Sequence, residues 1–222
     1  MGFISEYLML VMEWVGTVAF AVSGALIAIR HSFDLFGVLI VGGTTAVGGG
    51  IVRDLLLGRT PPQIFSMPHI LLLAIFTALA VFLIAYFNAV KFRGLQEKIE
   101  KINIYFDAVG LAAFSVAGVE AAAVTGYGAN WALAITVGVI TGVGGGVLRD
   151  VFVNEKPYIL TKHVYAVASI AGCLVYWLVG ICFSQRMIGT FAALGLIISL
   201  RVLASHFRWK LPKIEWENNI KV

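Results

Sequence analysis

Two copies of one motif contain the residues best suited to chemistry in this chain. In each copy, three consecutive glycines are followed, after two apolar residues, by an arginine and an aspartate. The copies are Gly48, Gly49, Gly50, Arg53 and Asp54, and Gly144, Gly145, Gly146, Arg149 and Asp150. Each glycine inside a helix costs about 1 kcal/mol relative to alanine, and a charge deep in a membrane segment costs at least ~2.5–3.5 kcal/mol. Because the chain carries both costs twice, we interpret the motif as a paired functional device.

The glycine triplets admit two interpretations. A break in the helix would free backbone groups, which is tolerated at membrane depth only beside protein or a water-filled cavity. Alternatively, small residues spaced by four, such as Gly42, Ala46 and Gly50, allow two helices to pack closely. Three adjacent glycines exceed what a packing stripe requires. We therefore predict a kink in each helix, with a constriction and a permeant ion near the two kinks.

The arginine–aspartate pairs also admit two interpretations. Intramembrane charges usually face a cavity or a partner, but long side chains near the end of a span can instead extend to the membrane interface. In the first interpretation Glu13 lies at the same end as Arg53, and Asp107 at the same end as Arg149. We therefore predict two pseudo-symmetric charge clusters, one at each mouth of a central path, with Glu120 as a further carboxylate.

Hydroxyl groups accompany the two motifs. Thr45 and Thr141 precede the glycine triplets by about one helical turn, and Ser23 and Ser115 lie on neighbouring segments. A single hydroxyl in a membrane helix most often bonds to its own backbone or packs. Because these groups are concentrated in the first, second, fourth and fifth apolar segments, we predict that those four segments line the path.

The elements that must position these residues are membrane helices. The chain of 222 residues is 60% hydrophobic and 13% charged, whereas soluble domains are about 25% charged. Seven apolar segments have roughly the 20 residues that a helix needs to cross a bilayer. They are residues 8–29, 35–57, 70–90, 104–125, 131–153, 164–183 and 188–205. The sequence predicts an all-α polytopic membrane protein.

The segments form an internal repeat. Segments 1 and 4 share the pattern Glu/Asp-x-x-Gly-x-x-Ala-Phe-x-Val-x-Gly, which begins at Glu13 and again 94 residues later at Asp107. Segments 2 and 5 share Gly-x-x-Thr-x-x-Gly-Gly-Gly-x-x-Arg-Asp, which begins at Gly42 and again 96 residues later at Gly138. Three segments per copy is an odd number, so the second copy must enter the membrane from the opposite side. The pattern predicts an inverted repeat, whose functional site is expected near the midplane.

This repeat divides the chain into five parts. We predict a first three-helix repeat at residues 6–90, a cytoplasmic loop at 91–103, a second repeat at 104–184, a seventh helix at 185–206 and a basic cytoplasmic tail at 207–222. Thirteen of the 16 Lys and Arg residues fall on the side that holds the C-terminus. By the positive-inside rule, the C-terminus is expected in the cytoplasm and the N-terminus outside. This asymmetry accounts for the net charge of +4 without a nucleic-acid partner.

No catalytic motif is evident. Neither glycine triplet is followed by the Gly-Lys-Ser/Thr of a phosphate-binding loop, and the chain has no His-Glu-x-x-His and no cysteine cluster. We predict that the protein is not an enzyme and has no cofactor or structural metal.

The doubled Gly-Gly-Gly-x-x-Arg-Asp motif in a seven-span inverted repeat resembles the prokaryotic branch of the trimeric intracellular cation (TRIC) channels. Related bacterial sequences also carry a glycine-transporter label. The resemblance covers residues 6 to about 207 and implies a homotrimer in the prokaryotic inner membrane, in contact with lipids. It also implies one potassium-conducting pore in each subunit. The Lys-Glu-Val signature of animal members is absent, so the resemblance does not extend to their lipid regulation.

Two functions from different classes follow. The first is a monovalent-cation channel in which carbonyls and hydroxyls at the kinks replace part of the ion's hydration shell. The alternative is a secondary transporter of a small zwitterion such as glycine, because inverted repeats with broken helices suit that role equally well.

Overall fold

The computed structural model describes residues 3–161, 164–207 and 209, and this part of the chain is almost entirely helical. Seven of its helices are long and apolar enough to cross a membrane, which confirms the predicted number of spans. The helices are α1 (Phe3–Arg30), α2 (Leu35–Leu56), α3 (Pro68–Phe87), α4 (Ala89–Gly94), α5 (Gln96–Ala122), α6 (Trp131–Phe152), α7 (Tyr158–Thr161), α8 (Val164–Val175) and α9 (Arg186–His206).

Shorter segments connect these helices. A 3-10 turn at Gln63–Phe65 follows α2, and π-helical turns at Ala123–Tyr127 and Tyr176–Cys182 extend α5 and α8. The region predicted as a loop at 91–103 holds part of α4 and the first turns of α5, because α5 already begins at Gln96. Most of the predicted tail at 207–222 lies outside the described residues.

The two repeats have matching helix starts. Asp34 caps α2 by accepting a hydrogen bond from the Gly37 N–H at 2.8 Å, and Asn130 caps α6 by accepting one from the Leu133 N–H at 3.1 Å. Such side-chain oxygens satisfy N–H groups that have no partner within the helix. The equivalent caps therefore begin the two glycine-bearing helices at equivalent places.

Equivalent helices pack against one another at the centre of the molecule, α1 against α5 and α2 against α6. The rings of Phe20 and Phe114 meet with their centroids 5.3 Å apart. Gly16 provides space for the ring of Phe114, and Gly110 provides space for the ring of Phe20. This reciprocal packing is what a pseudo-two-fold relation between inverted repeats requires. Helix α9 stands outside the repeat and packs against α5 and α8.

The glycine triplets do not interrupt their helices. Helices α2 and α6 are α-helical throughout Leu35–Leu56 and Trp131–Phe152, so the interpretation in which a helix break frees backbone groups does not apply. A Cβ atom on Gly49 would overlap the carbonyl oxygen of Thr141, and one on Gly145 would overlap the carbonyl oxygen of Thr45. The glycines bring the two backbones into direct contact, as small residues do at membrane helix crossings. Any kink is therefore a bend within a continuous helix.

Candidate functional site: two buried charge clusters

The first cluster, called here the Asp107 cluster, consists of Asp107, Arg149, Asp150 and Arg201. The guanidinium of Arg149 is fully buried; its Nη1 donates to Asp107 Oδ1 at 2.7 Å and to Ser23 Oγ at 2.5 Å. Its Nε donates to Asp150 Oδ1 at 2.9 Å. Arg149 therefore does not extend to the membrane interface, and it joins α6 to α5 and α1 inside the protein.

Helix α9 contributes the fourth member of this cluster. Arg201 Nη2 donates to Asp107 Oδ2 at 3.1 Å, and its guanidinium lies 4.5 Å from the ring centroid of Tyr165. Two arginines and two aspartates balance one another, which is what buried charges need in order to offset desolvation. The sequence interpretation missed the role of Arg201. An arginine within the apolar seventh segment was the available signal, because such charges seldom lack a partner.

Tyr158 closes the Asp107 cluster from the segment that follows α6. Its backbone N–H donates to Asp150 Oδ2 at 2.8 Å, and its ring lies 5.0 Å from the guanidinium carbon of Arg149. Burial raises the pKa of Tyr158 to about 12. The phenol therefore stays neutral near pH 7 and presents an aromatic face to the arginine.

The second cluster, called here the Glu13 cluster, consists of Glu13, Arg53 and Asp54 at the opposite end of the helices. Arg53 Nε donates to Asp54 Oδ1 at 2.9 Å, and Asp54 Oδ2 accepts from the Gln63 N–H at 2.9 Å. These contacts repeat those of Arg149, Asp150 and Tyr158. The two predicted arginine–carboxylate groupings are thus present as spatial clusters, one in each half.

The Glu13 cluster differs from its counterpart because it borders an open cavity. A cavity of about 490 Å³ is lined by residues that include Met9, Leu10, Glu13, Arg53 and Arg59. Ala117 also lines this cavity and occupies the position that Ser23 occupies in the other half, so Arg53 has no equivalent hydroxyl partner there. Arg201 belongs to α9, outside the repeat, and has no equivalent either. The Glu13 cluster therefore borders an open cavity, whereas the charged side chains of the Asp107 cluster are buried among the described residues.

Glu120 lies on the wall of the same cavity. Its Oε2 accepts from Tyr176 Oη at 2.8 Å, and its Oε1 lies 2.7 Å from Arg186 Nη1. Both carboxylate oxygens thus have partners on α8's π-helical extension and on α9. The structure places Glu120 beside the Glu13 cluster, where its ion pair with Arg186 and its hydrogen bond with Tyr176 join helices at the cavity wall.

The predicted hydroxyl ligands are engaged within the protein. Thr45 and Thr141 each donate to a carbonyl of their own helix at 2.6 Å, and both are buried. Ser115 pairs with Ser169 at 2.7 Å, and Ser23 is the partner of Arg149. Since the helices are continuous, the carbonyls at the triplets are also in helical hydrogen bonds. In this conformation both sets of groups make hydrogen bonds within the protein, and Thr45 and Thr141 are buried.

The fold and the two clusters define a class of protein: a seven-span membrane protein built from two inverted repeats with buried charge at their interface. A family model described as "Glycine transporter" matches the chain twice, at residues 10–86 and 104–180. This double match confirms the internal repeat and covers more than half of the chain.

The chain belongs to this family, which includes the UPF0126 membrane proteins. It is 36% identical to such a protein from Deinococcus radiodurans over 203 residues, covering 90% of this chain and 89% of the relative. It is also 36% identical over 210 residues to the inner membrane protein YadS of Escherichia coli, covering 94% of this chain and 97% of YadS.

Solved structures of prokaryotic TRIC channels share the fold. The TRIC orthologue from Rhodobacter sphaeroides is 32% identical and superposes with a TM-score of 0.80, covering 91% of this chain and 99% of that one. A prokaryotic TRIC channel crystallised in 0.5 M KCl is 33% identical, with a TM-score of 0.82 over 93% of this chain and 100% of that one. The resemblance found in the sequence is confirmed.

Proposed function

We propose that the protein is a monovalent-cation channel that conducts potassium through a pore within each subunit of a homotrimer. The observation that carries this proposal is the similarity, over 93% of the chain, to TRIC structures that are described as cation channels. The cavity at the Glu13 cluster also supports it, because an opening bordered by charged side chains is what the mouth of an ion path requires. The carboxylates of Glu13 and Glu120 line this cavity together with the guanidinium groups of Arg53 and Arg59.

The proposed path runs between α1, α2, α5 and α6. With thirteen of the 16 Lys and Arg residues on the opposite side, the Glu13 cluster faces outward and the Asp107 cluster faces the cytoplasm. Between them, the ring pair of Phe20 and Phe114 and the backbone contact of Gly49 with Thr141 occupy the centre. We propose that this conformation is closed, with its narrowest point at the glycine triplets.

Purified protein in planar bilayers under a KCl gradient tests the proposal. Unitary currents that reverse near the potassium equilibrium potential are the expected result. Bilayers without current, together with saturable glycine uptake into liposomes, would contradict it and would instead favour the small-zwitterion transporter. Comparing both assays on one preparation separates the two functions because a channel does not saturate at the substrate concentrations of a carrier.

Replacement of Glu13 by glutamine is expected to lower the unitary potassium conductance by about twofold or more, because it removes a carboxylate from the cavity. The effect should shrink at high salt, which screens charge. Glu97→Gln is a matched control, since Glu97 lies in the first turn of α5 and is exposed. Equal conductance of the Glu13 variant and the control would remove Glu13 from the conduction path.

A further inference from the structure

The two helix ends that face the clusters are equivalent in detail. After α2, Gly58 has φ 71° and the Arg59 N–H donates to the Asp54 carbonyl at 2.8 Å. After α6, Asn154 has φ 57° and the Glu155 N–H donates to the Asp150 carbonyl at 2.9 Å. Arg59 and Glu155 therefore occupy the same place in their repeats, 96 positions apart.

The ends of α1 and α5 are equivalent as well. Ser32 and Gly126 both have positive φ, 60° and 89°, and they stand 94 positions apart. His31 directly precedes Ser32, and Thr125 directly precedes Gly126. The inverted repeat thus places His31 next to Glu155 at one mouth. The equivalent pair at the other mouth is Thr125 and Arg59.

Only the mouth at the Asp107 cluster is tied by this pair. His31 Nε2 lies 2.9 Å from Glu155 Oε1, which joins the end of α1 in the first repeat to the end of α6 in the second. The contact is an ion pair when the imidazole is protonated and a hydrogen bond when it is neutral. At the other mouth, Thr125 donates to carbonyls of its own helix and Arg59 donates to Gln63 at 3.5 Å. There the cavity is open, and Arg59 lines it.

An unsatisfied side chain lies behind the tied mouth. Asn103 is 1% exposed, and both polar atoms of its amide lack a hydrogen-bond partner among the residues that the structure describes. An unpaired buried polar group costs about 1–3 kcal/mol, so folding alone does not account for it. Asn103 stands one turn before Asp107 on α5, and its equivalent in the first repeat is Met9, which lines the open cavity beside Glu13.

We propose that the Asp107 half contains a second vestibule, equivalent to the cavity at Glu13, which the His31–Glu155 contact holds closed in this structure. Release of the contact would let the end of α1 separate from the end of α6 and admit water to the amide of Asn103. The Asn103 amide oxygen would then bind the permeant cation, while Asp107 stays paired with Arg149 and Arg201. The identity of this occupant rests on the proposed channel function, whereas the vestibule itself does not.

Cysteine labelling tests the proposal on the full chain in lipid nanodiscs. Met9→Cys and Asn103→Cys are introduced together with Cys182→Ser, which removes the exposed native thiol. The remaining Cys173 is fully buried and reports unfolding if it reacts. Peptide mass spectrometry then measures the reaction rate of each cysteine with a charged methanethiosulfonate reagent.

The His31–Glu155 contact, called here the latch, is released by giving this mouth the residues of the open one, His31→Thr with Glu155→Arg. The labelling of Asn103→Cys is expected to accelerate by about fivefold or more, the factor for loss of roughly one charged contact. Met9→Cys should be unchanged, and Cys173 unreacted. In the reverse exchange, Thr125→His with Arg59→Glu, the labelling of Met9→Cys is expected to slow.

Two results would overturn the proposal. One is an unchanged labelling rate of Asn103→Cys after release of the latch, in a protein whose Cys173 remains unreacted. That result would mean that the Asn103 amide binds a permanently buried water and does not face a vestibule. The other is equal rates at Met9→Cys and Asn103→Cys before release. Labelling does not depend on conduction, so it tests the vestibule separately from the channel. If the expected labelling rates are found in a protein that passes no current, the vestibule is supported and the channel is rejected. If the protein passes potassium current but the labelling rates do not change as expected, the channel is supported and the vestibule is rejected.

Discussion

Asp107→Asn is expected to lower the free energy of unfolding by about 3–5 kcal/mol, the usual effect of removing one partner of a buried ion pair. Asp107 accepts from Arg149 at 2.7 Å and from Arg201 at 3.1 Å, and all three side chains are buried. An asparagine would leave two buried guanidinium groups with one fewer negative charge. Thermal unfolding of the detergent-solubilised protein measures the loss.

The inverted repeat supplies the control for this substitution. Glu13 is the equivalent of Asp107, but it is only partly buried and borders the open cavity. Glu13→Gln is therefore expected to cost less than about 1 kcal/mol of stability, as for solvent-exposed charges. Adding Arg201→Met to Asp107→Asn removes the second unpaired charge and should restore part of the loss. If Asp107→Asn and Glu13→Gln destabilised the protein equally, the Asp107 cluster would not be the closed half.

Gly49→Ala and Gly50→Ala are expected to have effects of opposite sign. A Cβ atom at Gly49 would overlap the Thr141 carbonyl oxygen, and because backbone cannot yield as a side chain can, we expect destabilisation of about 1–3 kcal/mol or more. A Cβ atom at Gly50 would lie 3.8 Å from its nearest neighbour, the Arg53 side chain. There the gain in helix propensity is expected to stabilise the protein by up to about 1 kcal/mol. Thermal unfolding compares the two variants directly.

The second repeat offers an independent check. Gly145→Ala should resemble Gly49→Ala, because a Cβ atom there would overlap the carbonyl oxygen of Thr45. Equal effects of Gly49→Ala and Gly50→Ala would mean that α2 and α6 do not remain in backbone contact. That outcome would return the triplets to the role of flexible kinks rather than packing surfaces.

The sequence predicted the pairing of charges better than the role of the glycines. Arg149 and Asp107 meet because repeat parity and helix direction alone bring them to the same end. The triplets were ambiguous, since a helix break and a close helix crossing both favour glycine. Only the atoms opposite Gly49 and Gly145, which belong to distant residues, distinguish the two.

The sequence by itself determined the seven spans, the inverted repeat and the two charge clusters, because hydropathy, spacing and parity can be read along one dimension. The tertiary structure alone decided that the two halves are unequal. Asp107 has a second arginine because α9, which has no counterpart in the repeat, brings Arg201 within 3.1 Å. The pair of His31 and Glu155 spans 124 positions and ties only one mouth. Such asymmetry depends on which side chains from outside the repeat reach each cluster, and this is settled only when the helices pack.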